Sequence, residues 1–512
     1  MCLVAHIVAE IARETEEVYR GAAAQHAGYP SYNCALRSTR TKTSMKKTST
    51  RAKSGWPVCV AAGPFLFFSG QLGHKAGRNA GAGALCTSFS EVAGQGPRQA
   101  SGSAWVDRLE GPVGAQGIAI YEQYRALLKR EGGDLKHLLR YHIYQRDKRY
   151  FPVFDRVRRE YEPAPPSSTA VGMGRFEPTD QARLCIDAIA LQPAAEKTLG
   201  PREGRSSAAA HTAAATFSHV IGAGPYLFLA GQIPIDASKP GAPLIRNYED
   251  IPEAGHFLRR GRSHEDARNG PIAAQTWFTY DLIRQHLEAA GSSLDSILNL
   301  VVYLQDMRDF PTFHRVHERF FPAPAPALTV IEVGEVGHKG TLIEIEPTAI
   351  IPQRGLERRV YRVPGWHAPA HMSPIVEAGG LAFLSGIAGV DEAGEPVTSA
   401  RALSRAARAQ AGGALARNVA ALQCLACVEQ LKSQLKAAER DLSSVAHLSV
   451  YMHDIDSFKT IERMLAKAFG KARPAIIALE VPWPSPVAGV LVSMTAIAWF
   501  GAVKPTAIWK LS

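Results

Sequence analysis

The chain repeats itself three times, and this repetition constrains its fold more than any other feature. An apolar run ending in a small residue and glycine occurs as Phe65-Leu66-Phe67-Phe68-Ser69-Gly70-Gln71. It returns as Tyr226-Leu227-Phe228-Leu229-Ala230-Gly231-Gln232 and as Leu381-Ala382-Phe383-Leu384-Ser385-Gly386-Ile387. The three glycines stand 161 and 155 residues apart. Each run is followed by a β-type stretch closing on Tyr-x-x-Asp: Tyr144 and Asp147, Tyr303 and Asp306, Tyr451 and Asp454. Four residues past each aspartate stands Phe151, Phe310 or Phe458. The 512 residues therefore divide into three units of roughly 150 rather than one enlarged core.

Within a unit the pattern reads β-β-α-β-α-β-β. The small-Gly run is a continuous apolar strand of the kind a sheet buries. Ile272 to Ala290 has helical periodicity and is closed by Gly291 in a C-cap position. In the third unit the corresponding helix runs from about Ala402 to Arg440, long enough for two helices. Phe310, Phe313, Val316 and Phe320 predict a second helix over Phe310 to Phe320, and Leu342 to Ile351 predicts the closing strand. Helices gathered on one face of a mostly antiparallel sheet predict an α+β fold. The expected domains are 55–192, 212–352 and 365–503. Gln192 to His211, rich in Ala, Pro, Gly and Ser, and the Arg-rich Pro352 to Pro364 read as exposed connectors.

Composition sets outer limits. With 46% apolar, 21% charged and 8% aromatic residues, wholesale disorder, a collagen-like fibre and a polytopic membrane protein are excluded. Val487 to Val503 is 17 residues without a charge, just short of a bilayer span, and the repeat assigns it to a core strand instead. Glu10, Glu14, Glu16 and Glu17 argue against a signal peptide. Seven scattered cysteines point to a reducing, cytoplasmic setting, and Cys424 and Cys427 read as two thiols on a helix face. Lys+Arg 58 against Asp+Glu 47 gives +11, part of it from a block with no acidic residue between Arg37 and Lys53. Residues 1–54 are accordingly expected to be a disordered basic tail. A solvated leader and an anion- or nucleic-acid-binding arm are both open for it, although no aromatic residue is interleaved for base stacking.

The Ser69-Gly70-Gln71 turn, the Tyr303-Leu304-Gln305-Asp306 strand end, and Glu344-Ile345-Glu346 with Ile350 together resemble the Rid (YjgF) family, over nearly everything from residue 55 to 500. These are small trimeric proteins that include 2-iminobutanoate/2-iminopropanoate deaminases. The resemblance implies three tandem Rid-like (chorismate-mutase-like) domains forming an intramolecular pseudo-trimer, with ligand clefts between neighbours. It implies hydrolysis (deamination) of an imine or enamine of a small carboxylate, no cofactor, no membrane, and a monomer or weak dimer.

The same resemblance implies site residues. The family's carboxylate-binding Arg, nine residues before a loop proline, falls on Arg473 before Pro482, with Leu328 and Ser168 at the matching offsets of the other units. The backbone N–H used by the family falls on Gly70, Gly231 and Gly386, with Ser385 beside the last. The last-strand acid falls on Asp187, Glu346 and Thr495, and the aromatic cap on Trp56, Phe217 and Met372. The expected catalytic residues are thus Glu346 and Asp187. The expected substrate-binding residues are Arg473, Ser385, Gly386, Gly231, Gly70 and Trp56. The unit with the Arg lacks the acid, so a non-catalytic binding or scaffold protein stands beside the enzyme reading. RNA binding or cleavage is a third, supported only by the basic charge. His314 and His317 lie at helical spacing but without a third ligand, so no metal is expected.

Overall fold

The computed structural model describes residues 55–75, 83–94, 100–162, 164–176, 180–205, 217–366 and 371–509. The expected basic tail lies outside them, as does the end of the first connector. The first repeat contains β1 (Cys59–Ala62), β2 (Phe65–Leu72), α1 (Ala104–Arg130), β3 (Leu138–Gln145), α2 (Phe151–Tyr161), β4 (Ser167–Gly172) and β5 (Leu184–Leu191). This is the expected β-β-α-β-α-β-β order. The second has β7 (Val220–Ala223), β8 (Tyr226–Leu229), α3 (Ser263–Ala289), β9 (Ile297–Leu304), α4 (Phe310–Phe320), β10 (Ala327–Glu332) and β11 (Ile343–Ile350), preceded by β6 (Glu203–Gly204). The third has β12 (Arg359–Tyr361), β13 (Ile375–Ala378), β14 (Leu381–Leu384), β15 (Ile387–Ala388), α5 (Val419–Ala437), β16 (Val445–Met452), α6 (Phe458–Phe469), β17 (Ala475–Glu480) and β18 (Val492–Trp499). The chain then forms β19 (Thr506–Ile508). Gly63, Gly224 and Gly379 make the same tight turn between the first two strands of each repeat, at φ of 56°, 57° and 58°, a conformation that glycine adopts without steric cost.

Each repeat forms one sheet: β19-β1-β2-β5-β3-β4, then β6-β7-β8-β11-β9-β10, then β12-β13-β14-β18-β16-β17, with β15 also on β18. Among the described residues only β3/β4, β9/β10 and β16/β17 run parallel. The outer strand of each sheet comes from the segment that follows the preceding repeat. Part of each expected connector is therefore strand, and β19, beyond the expected limit at residue 503, pairs Ile508 with Cys59 of the first sheet. Arg358, in the second connector, donates to the carbonyls of Ile297, Pro324 and Ala325. The helix expected from Ile272 begins at Ser263, because its first two turns are polar and escape a search for apolar periodicity. The long helix expected from about Ala402 to Arg440 is interrupted: α5 starts only after Asn418, whose side chain accepts from Ala421 N at 2.9 Å.

Each sheet packs its helices over a core of its own. Two further apolar clusters draw on all three sheets. One is built on Phe65, Phe67, Phe228 and Phe383, the other on Tyr144, Tyr303 and Tyr451. Hydrogen bonds between repeats run in cyclic order. Gly231 N donates to Ser168 O (3.2 Å), Gly386 N to Leu328 O (3.0 Å), and Ile476 N to Ser69 Oγ (2.9 Å).

Candidate functional site

Strand alternation and ladder register decide which side chains meet at the centre. The three Tyr-x-x-Asp tyrosines occupy equivalent positions, so two residues earlier His142, Val301 and Ser449 are equivalent. Opposite these stand Asp187, Glu346 and Thr495. Between the two shared apolar clusters these residues, with Arg140, Asn299 and His447, line a cavity of about 40 Å³. His142 spans two repeats there. Its Nδ1 lies 2.7 Å from Asp187 Oδ1, and its Nε2 lies 2.9 Å from Glu346 Oε1. His447 Nε2 stands 3.0 Å from the other Asp187 oxygen, and Arg140 Nη2 stands 3.4 Å from Glu346.

Burial would keep His142 neutral, but the charges of Glu346 and Asp187 outweigh it and raise its pKa to about 10. Burial would likewise favour neutral acids. Arg140 and His142 overcome it for Glu346, and His142 and His447 overcome it for Asp187, holding both below the ordinary carboxylate range. The two expected catalytic acids are thus firmly ionised and already paired.

A third acid, Glu344, lies at the boundary of the first and second repeats. Glu344 and Glu346 point to the same face of β11, two residues apart. Thr169 of the first repeat donates to Glu346. The Glu344 carboxylate lies against Gly231, where a Cβ would collide with its Oε1, so glycine is required for the main chain to pass. Glu344 is 4% exposed and its Oε2 has no hydrogen-bond partner. Burial raises its pKa to about 7, against the opposing pull of Lys148. Lys148 Nζ donates to Ala170 O at 2.6 Å in the same boundary.

Here the second residue of β4 is Ser168, and a guanidinium reaches it from a neighbouring helix. Arg158 of α2 donates to Ser168 Oγ at 3.2 Å and to Asp155 at 2.7 Å. It lies over the rings of Phe151 and Phe217, so the aromatic expected at the cleft of the second unit does flank this arginine.

Ladder register corrects the alignment that set Arg473 against Ser168 and Leu328. Tyr141 pairs with Ser168, Leu300 with Leu328 and Leu448 with Ile476. The equivalent residue of the third repeat is therefore Ile476, and Arg473 precedes β17 altogether. Counting back from Pro482 fails because loop length, unlike strand pairing, is free to vary. Arg473 donates to the carbonyls of Gly55 and Gly470 and lies 5.6 Å from the ring of Trp56. It belongs to the boundary of the third and first repeats and makes no ion pair among the described residues. Gly70 lies at that boundary too, against Cys185 and Ile477. Ser385 and Gly386 lie elsewhere, between the second and third repeats. Ser385 donates to Ser373 O and accepts from Leu328 N, and Gly386 N is bonded to Leu328 O. Ser385 and Gly386 thus knit two repeats together.

The Endoribonuclease L-PSP family model matches residues 207–351 and 366–500, more than half of the chain. The chain belongs to this family. The first repeat, outside the matched residues, has the strand order that the L-PSP repeats share. A RutC family protein of Pyrococcus horikoshii is 35% identical over 26% of this chain and 85% of its own length. The 3-aminoacrylate deaminase RutC of Acinetobacter baylyi is 29% identical over 23% of this chain and 94% of its own. A 2-iminobutanoate/2-iminopropanoate deaminase of Dermatophagoides farinae is 27% identical over 16% of this chain and 63% of its own. Among solved structures, RidA from an Antarctic Psychrobacter is 24% identical, covering 29% of this chain and 99% of its own, at TM-score 0.23.

Within this L-PSP chain, sequence reasoning passed over Arg140, His142, Arg158 and Lys148, and treated Glu344 only as part of a motif. One signal was available: Arg140 and His142 are polar residues at alternate positions of a strand that is otherwise nearly continuous in apolar and aromatic residues. No helix among the described residues is long and apolar enough to cross a membrane.

Proposed function

We propose that the boundary of the first and second repeats hydrolyses an imine or enamine of a small carboxylate to the 2-oxo acid and ammonia. The observation that carries this reading is Glu344: a buried carboxylate, poised near neutrality, with an unpartnered oxygen and an arginine in the same boundary. Relatives named as 3-aminoacrylate and 2-iminobutanoate/2-iminopropanoate deaminases support the reaction class.

In this scheme Arg158, steadied by Asp155, pairs with the substrate carboxylate as a planar fork. Water adds to the imine carbon, forming the C–O bond and passing a proton to Glu344. Glu344 returns that proton to the nitrogen of the carbinolamine, the C–N bond breaks as the C–OH becomes the carbonyl, and the departing ammonia takes the hydroxyl proton and leaves as ammonium. Glu346, held ionised by Arg140 and His142, stays a fixed negative charge that favours the iminium form. The Gly231 N–H is engaged by Ser168, so in this scheme it is not the donor to the reacting group. Asp187 belongs to the same central network rather than to the proton transfer. The boundaries carrying Leu328 and Ile476 bind without turnover, and Arg473 secures Trp56. The chain acts as a covalent counterpart of a trimer, monomeric, without a cofactor and in the cytoplasm.

The test generates an imino acid in situ with an amino-acid oxidase and measures ammonia release. Glu344→Gln is expected to lower kcat by about 10²-fold and to abolish the pH dependence near 7. Arg158→Lys is expected to raise KM, whereas Arg473→Ala leaves kcat/KM within about twofold of the parent. Parent protein no faster than buffer would remove the hydrolase reading.

A further inference from the structure

The boundary of the second and third repeats has the geometry of the first boundary without its charges. Leu328 stands in the place of Ser168. Ser493 stands in the place of Glu344, since each pairs with the Tyr-x-x-Asp tyrosine of its own sheet. His317 holds the position in α4 that Arg158 holds in α2. Met307 follows Asp306 as Lys148 follows Asp147.

The polar replacements are engaged within the protein. His317 is fully buried; its Nε2 donates to His371 O and its Nδ1 accepts from the Tyr280 hydroxyl, both at 2.8 Å. Burial lowers its pKa to about 3, so it stays neutral. The Ser493 hydroxyl donates to Pro484 O at 2.5 Å, and Thr329 bonds to Thr495 at 3.1 Å. The Gly386 N–H donates to Leu328 O at 3.0 Å.

Between the two repeats lies a cavity of about 320 Å³. Phe310 and Leu328 face it from the second repeat, and Trp366, Met372, Val390 and Val487 from the third. Among the described residues no charged side chain lines it. An apolar cavity of about 150 Å³ is enough for benzene, so this one has room for a six-membered ring with a substituent. An ion placed there would lose its hydration and meet no counter-charge.

We infer that the boundary of the second and third repeats is a binding site for an uncharged, largely hydrocarbon small molecule. This ligand class rests on the reading of that boundary as one that binds without turnover. The ligand packs between Phe310, Leu328 and Trp366, and removal of its apolar surface from water supplies the affinity. The two boundaries then discriminate by charge: the first takes a carboxylate, and the second rejects one.

The experiment titrates the full chain with cyclohexyl methyl ketone and with two ions of nearly the same shape, cyclohexanecarboxylate and cyclohexylmethylammonium. Tryptophan fluorescence and, separately, calorimetry follow binding. The ketone is expected to bind saturably below about 1 mM, and neither ion should displace it at about tenfold excess. Trp366→Phe should abolish the ketone's fluorescence change while calorimetry still registers binding. Val487→Asp, which puts a charge on a half-buried loop of the wall, should weaken the ketone at least tenfold. Imine hydrolysis is measured on the same samples. Absent hydrolysis with the ketone bound removes the hydrolase reading and leaves this assignment standing. No saturable ketone binding overturns the assignment, whether or not imines are hydrolysed. Displacement of the ketone by either ion, or a fluorescence change unaltered by Trp366→Phe, would also overturn it. The comparison of the three compounds needs no variant, so it decides the matter even if a variant does not fold.

Discussion

His142 is the residue on which the centre of the molecule depends, because its two ring nitrogens contact Asp187 of the first repeat and Glu346 of the second. Removing one partner from a buried charge cluster leaves the others uncompensated, at a cost of about 3–5 kcal/mol. His142→Gln is therefore expected to lower unfolding free energy by about 3 kcal/mol at pH 7, read from urea denaturation. The pH dependence follows from the raised pKa: the folded protein holds the proton to about 10, above the ordinary histidine value. The stabilisation is fully present below the unfolded pKa near 6.5 and is lost as pH rises through 10. The gap between parent and variant should close over that window, and a gap independent of pH would refute the ionic account. Glu344 and Glu162 behave differently. Burial raises both to about 7, and for Glu162 a hydrogen bond from Tyr141 opposes the shift. Each binds its proton more tightly when folded, so its contribution is present below about pH 4.5 and is lost as pH rises through 7. Glu162→Gln should accordingly raise the melting temperature more at pH 8 than at pH 5.

At the scale of elements, short edge strands complete each sheet, and β19 is the one whose removal is simplest to test. It covers β1 with three paired residues, and Val58 N adds a bond to Ile508 O at 2.9 Å. Truncation after Val503 should cost about 2–4 kcal/mol. It should also expose the β1 edge, so faster amide exchange at Val58 to Ala61 and concentration-dependent association are the expected signs. Unaltered exchange there would mean that β19 contributes nothing to the first sheet. The cap of α5 offers a smaller test: Asn418→Ala should destabilise by about 1 kcal/mol without changing the site at the first boundary.

For the whole molecule, the two apolar clusters shared by three sheets make the repeats mutually dependent. Phe65, Phe228 and Phe383 leave water only when all three sheets are present. Full-length protein is expected to unfold in a single cooperative transition and to scatter light as a monomer. A fragment of residues 217–352 alone would expose Phe228 and Tyr303, so it should self-associate. A monomeric, fully folded fragment would show that the shared clusters do not couple the repeats.

Local pattern carried the three-fold repetition, the element order within each repeat and the α+β class, because strand and helix periodicities are written in neighbouring residues and each landmark recurs in order. The apolar spacing of Phe310, Phe313, Val316 and Phe320 delimits the helix Phe310–Phe320 to the residue. What crosses between repeats was beyond that reach. Arg473 and Ser168 could not be ranked by counting along a loop, since only ladder pairing shows that Ile476 holds the equivalent position. The placement of Arg158 on Ser168, of His142 between Asp187 and Glu346, and of Glu344 against Gly231 each depends on the packing of separate segments. Proximity across such distances, and the burial that moves Glu344 to neutrality, arise only when the three sheets close on one another. Desolvation is a property of the assembled interior and not of any stretch of sequence.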